Sequence, residues 1–203
     1  TDLGEGFLSL GSMLKSDTLV TLAFKHPYGF NNFDTIGLDC ARNIAKMLDQ
    51  PNQHNHIKTA TFADFEFVSS DAVAEISKAL SAHPQLEKLG LDWSTGVGRQ
   101  GSVALGNVLE GWKNPNLRDL SLWYQDGFDD EGLHALVAGM RNCCNITSLR
   151  LGWNSITTNG CRLLSTLFQS DNFCLKKLNL NYANIDGYCA ADLATALENL
   201  CSL

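Results

Sequence analysis

The chain has 203 residues, 44% hydrophobic and 18% charged, with 15 Lys+Arg against 22 Asp+Glu for a formal net charge of -7. That length suits one ordinary domain or one short repeat array and can bury a real core. The acidic excess repels a phosphate backbone, and no apolar run approaches the roughly 18 residues of a membrane helix, so neither nucleic acid nor membrane is expected as a partner.

From the N-terminus, TDLGEGFLSLGSMLKSDT (1–18) lacks a basic start followed by an apolar stretch and does not read as a signal peptide. Six segments then share an L-x-x-L-x-L pattern: Leu19/Leu22/Phe24, Ile57/Ala60/Phe62, Leu86/Leu89/Leu91, Leu117/Leu120/Leu122, Ile146/Leu149/Leu151 and Leu175/Leu178/Leu180, with first residues 38, 29, 31, 29 and 29 apart. Alternation over the last three positions is a strand signal. Around these run sets in which a small residue is followed four and eight positions later by an apolar one: Gly6/Leu10/Leu14, Cys40/Ile44/Leu48, Ala72/Ile76/Leu80, Gly101/Leu105/Leu109, Gly132/Leu136/Met140, Gly160/Leu164/Phe168 and Cys189/Leu193/Leu197. Spacing of four marks one face of a helix, and the small slot predicts a helix start packed close to a neighbouring turn.

Each unit is therefore strand, loop, helix, loop. One unit cannot cover its own apolar face, so the units must stack, with strands in one parallel sheet and helices over its other side. Helices are wider than strands, so the sheet bends and lies on the inside of the curve. The expected fold class is α/β, a curved solenoid of about six repeats: a partial unit 1–18, then 19–56, 57–85, 86–116, 117–145, 146–174 and 175–203. Residues 1–18 read as a helix without its strand, Leu203 falls where the next strand is due, and neither end carries the polar cap terminal repeats use. The expectation is a section of a longer array.

The stretches LRDLSLWYQDGFDDEGLHALVAGMRNCCN (117–145) and ITSLRLGWNSITTNGCRLLSTLFQSDNFC (146–174) resemble leucine-rich repeats of the ribonuclease-inhibitor type, in their period and in a full helix per repeat. The family's Asn after the strand is kept only at Asn154; the equivalent slots hold Phe65, Ser94, Gln125 and Ala183, so those turns must be satisfied differently. The resemblance implies binding of a protein partner by inner-face aromatics and charges. It extends to nuclear-transport GTPase activators and innate-immune sensor arrays, which keeps a regulatory role open.

Within L-x-x-L-x-L-x-x, positions three, five, seven and eight face inward. Position eight reads His26, Asp64, Trp93, Tyr124, Trp153 and Tyr182, with Trp123 beside them at position seven. Five of the chain's four Trp and four Tyr thus fall on one edge, at strand spacing that permits a continuous ladder. Trp93, Trp123, Tyr124, Trp153 and Tyr182 are the expected partner anchors, with Asp64, Asp92, Arg150 and Lys177 setting electrostatic fit and an acidic N-terminal half suiting a partner with a basic patch. Two other readings stay open: the rings only glue repeats together in a structural spacer, and Asp129–Glu131 simply favour a helix N-terminus. The longer first repeat holds Tyr28, Phe30 and Phe33 in KHPYGFNNFDTIG (25–37), either a functional loop or one that buries its rings against an edge.

Nothing in the pattern reads as catalytic, and neither cofactor nor metal is expected. Gly96-Val97-Gly98-Arg99-Gln100-Gly101 matches G-x-G-x-x-G, but Gly101 occupies the small slot of its repeat and no acidic strand tip follows. His54-Asn55-His56 lacks Cys or carboxylates at ligand spacing. The seven cysteines (40, 143, 144, 161, 174, 189, 201) form no CxxC and read as reduced core thiols of a cytosolic or nuclear chain. Asn145-Ile146-Thr147 is the one hint of secretion, and without a signal peptide and at the start of a strand it reads as coincidence.

Overall fold

The computed structural model describes residues 20–25, 34–48, 56–112, 115–141, 145–170 and 174–200. Each L-x-x-L-x-L segment forms a strand that begins at its third position: β1 (Thr21–Lys25), β3 (Thr59–Ala63), β5 (Lys88–Asp92), β6 (Asp119–Ser121), β7 (Ser148–Arg150) and β8 (Lys177–Asn179). They make one six-stranded sheet in the order β1-β3-β5-β6-β7-β8, and every pair is parallel. Register follows the sequence pattern position for position, so Leu89 lies beside Leu120, Leu120 beside Leu149 and Leu149 beside Leu178. The long first step leaves this register intact, since Thr21 still faces Thr59.

Entry into each strand uses a shared carbonyl. The Val20 oxygen accepts from the Lys58 and Thr59 amides, and Lys58, Glu87, Arg118 and Thr147 repeat the arrangement one unit further on each time. These rungs satisfy the amides just ahead of the strands, which a short three-residue ladder would otherwise leave unpaired.

The helices are α1 (Leu38–Leu48), α2 (Ser70–Ser81), α3 (Gly98–Glu110), α4 (Asp130–Met140), α5 (Thr158–Phe168) and α6 (Gly187–Leu200). In α1 to α5 every member of the sets from Cys40/Ile44/Leu48 to Gly160/Leu164/Phe168 is buried, as are Cys189 and Leu193 in α6, while Leu197 packs half-buried. The small slot is a steric requirement: a Cβ on Gly160 would stand 2.4 Å from Asp130 Oδ1 and 2.7 Å from Ile156 Cγ2. One contiguous core fills the space between sheet and helices, from Leu22 and Ile44 through Phe62, Leu91, Leu122 and Leu151 to Ala196.

A second strip of backbone pairing runs beside the main sheet. β2 (Asp34–Ile36) pairs parallel with β4 (Phe65–Phe67), and bridges Glu66–Thr95, Asp129–Ser155 and Thr157–Asn184 continue the strip along the repeats. The sequence pattern does not announce it. The C-terminal part of the 25–37 loop therefore becomes a paired strand with Ile36 fully buried; Tyr28, Phe30 and Phe33 lie outside the described residues, as do the 1–18 unit, His26, His54, Leu203, Cys143, Cys144 and Cys201.

The expectation of reduced core thiols needs correction. Cys161 and Cys189 form a disulfide with a Cα–Cα separation of 5.9 Å, Cys174 is exposed, and of the described cysteines outside that disulfide Cys40 is the buried one. The cause is the stacking itself. Cys189 fills the small slot of α6 and Cys161 follows Gly160 in the slot of α5, so two residues 28 apart in sequence meet where consecutive helices start.

Candidate functional site

The residue at position eight is in the left-handed backbone region in five consecutive repeats: Asp64 (φ 63°), Trp93 (52°), Tyr124 (57°), Trp153 (60°) and Tyr182 (58°). A side chain with a Cβ adopts this conformation at a cost of roughly 1–2 kcal/mol. A hydrogen bond offsets it. The position-eight amide donates to the position-seven carbonyl of the next repeat: Asp64 to Asp92 (3.2 Å), Trp93 to Trp123 (2.8 Å), Tyr124 to Gly152 (3.0 Å) and Trp153 to Asn181 (2.7 Å). Strand pairing thus runs on past the strand end, and the chain turns away at the same point in each of these five units.

That turn delivers the rings to one row. Trp93 stacks on Tyr124 (centroids 4.5 Å, planes 25° apart) and meets Trp123 edge-on at 4.8 Å. Trp123 approaches Trp153 edge-on at 6.5 Å, Tyr124 lies 5.9 Å from Trp153, and Trp153 lies 4.0 Å from Tyr182. Gly152 makes room for the row, since a Cβ there would come within 3.0 Å of the Trp123 indole nitrogen. Exposure rises along it: Trp93 and Trp123 are half-buried, Tyr124 is 39% exposed, Trp153 42% and Tyr182 72%.

Beneath the rings the turns are closed by side-chain amides. Asn154 Nδ2 donates to the Leu122 carbonyl (2.7 Å) and the Leu151 carbonyl (2.9 Å), while its Oδ1 accepts from the Gln125 amide at 2.7 Å. Gln125 does the same service one repeat earlier, donating to the carbonyls of Leu91 and Trp123. Ser94 Oγ donates to the Asp92 carbonyl at 3.1 Å.

No family model matches the chain. A mouse ribonuclease inhibitor is 30% identical to it over 125 residues, which are 61% of this chain and 26% of the relative, so the chain spans about a quarter of that relative's length. Among solved structures, leiomodin-1 actin-binding site 2 superposes with a TM-score of 0.55 at 20% identity, covering 66% of this chain and 75% of that one. The tropomodulin C-terminal domain of Caenorhabditis elegans covers 100% of this chain and 95% of its own with a TM-score of 0.52 at 14% identity. Repeat period, register and relatives agree. This is a leucine-rich-repeat fold of the ribonuclease-inhibitor-like type.

The leucine-rich repeats place the expected charged residues unequally. Asp92 is committed to the next repeat, its Oδ1 accepting from Ser121 Oγ and from the Trp123 amide at 3.0 Å, and so it holds the turn that carries Trp123. Arg150 faces Asp119 with Nε 4.0 Å from Oδ1. Asp64 is half-buried at the left-handed position, and Lys177 is exposed on β8. The acidic run after β6 serves the helix starts. Asp129 caps α4 by accepting from the Gly132 amide at 3.1 Å, and Asp130 accepts from the Thr157 amide at 2.8 Å and from its hydroxyl. Arg99 donates to both oxygens of Asp129 and pairs with Glu131. The Arg99 hydrogen bond, followed by the Gly132 amide, holds the Asp129 carboxyl below the usual carboxylate range despite opposing burial.

The G-x-G-x-x-G match is explained by repeat packing. Gly96 has φ 81° and a Cβ there would strike the Phe67 carbonyl oxygen at 1.7 Å, while Gly101 is buried in the small slot of α3. Among the described residues no group of three or more His, Cys, Asp or Glu is placed to hold a metal ion, and no helix is long and apolar enough to cross a membrane.

Proposed function

We propose that the chain is a protein-recognition module whose partner seats on the strand face, with Trp93, Trp123, Tyr124, Trp153 and Tyr182 as anchors. The observation that carries this reading is the row of touching rings held at left-handed backbone positions, with Trp153 and Tyr182 standing 42% and 72% exposed. Aromatic side chains give large contact area with few rotors and dominate interface energetics. A row of them left open to water marks an interaction surface. Two of the similar proteins are described as binders of a protein partner, the mouse ribonuclease inhibitor and the actin-binding site of leiomodin-1. In this reading Asp92 positions Trp123 and leaves the contact itself to the rings, Arg150 and Lys177.

The ring-to-ring contacts favour a second reading, a spacer whose aromatics serve only to bind repeat to repeat. Trp153→Ala/Tyr182→Ala separates the two. Calorimetric titration with ribonuclease and with monomeric actin supplies the binding measurement. For a recognition ridge the double variant loses at least about tenfold in affinity and melts close to the parent. For a spacer the melting temperature falls, and neither protein binds in a way that depends on the rings.

A further inference from the structure

Charge beside the ring row has one prevailing sign. Within three positions of the turn residue, the repeats from Asp64 to Tyr182 carry Asp64, Glu66, Asp92 and Asp126 and a single cation, Arg150. Arg150 Nε faces Asp119 Oδ1 at 4.0 Å, so those two balance each other and count for neither side. Lys88 and Lys177 stand five positions ahead of their turn residues, and Lys25 on β1 lies three strands from the Tyr124 repeat. Five positions are roughly 16 Å of extended chain, twice the Debye length of about 8 Å at physiological salt. The rings therefore feel the carboxylates more than these lysines.

Tyr124 and Trp153 are open in the middle of the row. They are 39% and 42% exposed, and each has a described repeat on both sides, so this exposure does not come from an end of the array. Their ring centroids are 5.9 Å apart with planes 50° apart, too far from parallel for either ring to seal the other's face. Asp126 follows Tyr124 by two residues, at most about 7 Å of chain. It is exposed and has no ion pair among the described residues. Asp92 adds charge but is already held by Ser121 Oγ and the Trp123 amide, which leaves Asp126 as the nearby carboxylate open to a new donor. A ring face is the negative part of the aromatic quadrupole, so tilted Trp and Tyr faces beside a carboxylate draw a cation from two sides. A guanidinium suits this better than an ammonium, because it is planar, stacks on rings, is weakly hydrated and offers a fork of donors to a carboxylate.

We infer that the side chain a partner lays on Tyr124 and Trp153 is an arginine, its guanidinium against the two rings and its N–H groups donating to Asp126. This rests on the recognition reading above and narrows the basic partner expected from the sequence to one residue type at one place on the ridge.

The test uses the whole chain and three capped pentapeptides, with glycines on either side of a central arginine, lysine or glutamine. Indole N–H and tyrosine ring resonances report binding. The arginine peptide is expected to shift the Trp153 and Tyr124 signals and to bind at least about threefold more tightly than the lysine peptide of equal charge, with the glutamine peptide weakest. Asp126→Asn is expected to lower the arginine affinity about fivefold, and Trp153→Leu at least about threefold. Asp192→Asn, which removes the same charge from α6, is expected to change nothing. Equal binding of arginine and lysine, an unchanged arginine affinity in Asp126→Asn, an equal loss in Asp192→Asn, or no shift of Trp153 up to the peptide's solubility limit overturns the arginine seat. Such a failure is distinct from failure of the recognition reading, which is measured with ribonuclease and actin on Trp153→Ala/Tyr182→Ala and no peptide present.

Discussion

A left-handed backbone at Asp64, Trp93, Tyr124, Trp153 and Tyr182 is the local device on which the candidate site depends. The ring identities and their spacing were legible from periodicity, because position eight recurs with the leucines. The backbone conformation was not, since the usual marker of a positive φ is glycine and none stands at these positions. Nor did the pattern reveal that Gln125 takes the part of the missing Asn, because that requires its longer side chain to reach the Leu91 carbonyl of the preceding repeat. Asp64 offers a clean test of the strain, as its φ of 63° is held by the same rung to the Asp92 carbonyl but no ring stacking depends on it. Asp64→Gly relieves the left-handed cost and is expected to unfold in urea at the same or a higher midpoint than the parent. Asp64→Val, β-branched and poorly suited to that region, is expected to lose about 1–2 kcal/mol. Equal stabilities for the two variants would show that the position is not strained.

Elements are set in place by their starts. Asp129 caps α4, and Asp130 ties that helix to Thr157 at the start of α5, so the acidic run that suggested partner charge is spent on helix starts. The six main strands and the described helices followed from their period-two and spacing-of-four patterns. The strip begun by β2 and β4 did not, because Asp34–Ile36 and Phe65–Phe67 lie outside the L-x-x-L-x-L segments and their pairing is imposed by the repeat stacked beside them. The Asp129 carboxyl makes a pH prediction at this scale. Its folded-state pKa is lowered, chiefly by the Arg99 hydrogen bond, so the unfolded chain takes up its proton first as the medium is acidified. Its contribution is complete above the ordinary carboxylate range and disappears as pH falls through the lowered folded value. Asp129→Asn keeps a capping oxygen and removes the charge. Thermal unfolding of that variant is expected to decline less steeply than the parent's between about pH 5 and pH 2, and parallel declines would show that the Arg99 pair carries no linked stability.

At the scale of the molecule, the main contacts among the described elements run between consecutive repeats, so stability is a chain of local terms joined by interfaces. The stacked order was readable from the recurring apolar residues. The Cys161–Cys189 link was not, because it depends on two helix starts coming to a Cα separation of 5.9 Å and no cysteine motif announces it. Its consequence is confined to one end. Among the described residues β8 is the last strand of the sheet; its residues are exposed or half-buried, and the following Leu180, Ala183 and Ile185 are only partly covered. The disulfide closes a 28-residue separation that joins this lightly covered unit to α5, and loop-closure entropy at that length is worth about 3–4 kcal/mol. Cys189→Ser, or the parent under reducing agent, is therefore expected to exchange amide hydrogens in β8 and α6 far faster than in α2 to α4, with a separate low-temperature step on heating. The same loss should weaken any ligand of Tyr182 without moving the α2–α4 protection. A single cooperative transition that shifts uniformly across all repeats would instead mean that the last unit draws its stability from the array as a whole and that the link is redundant.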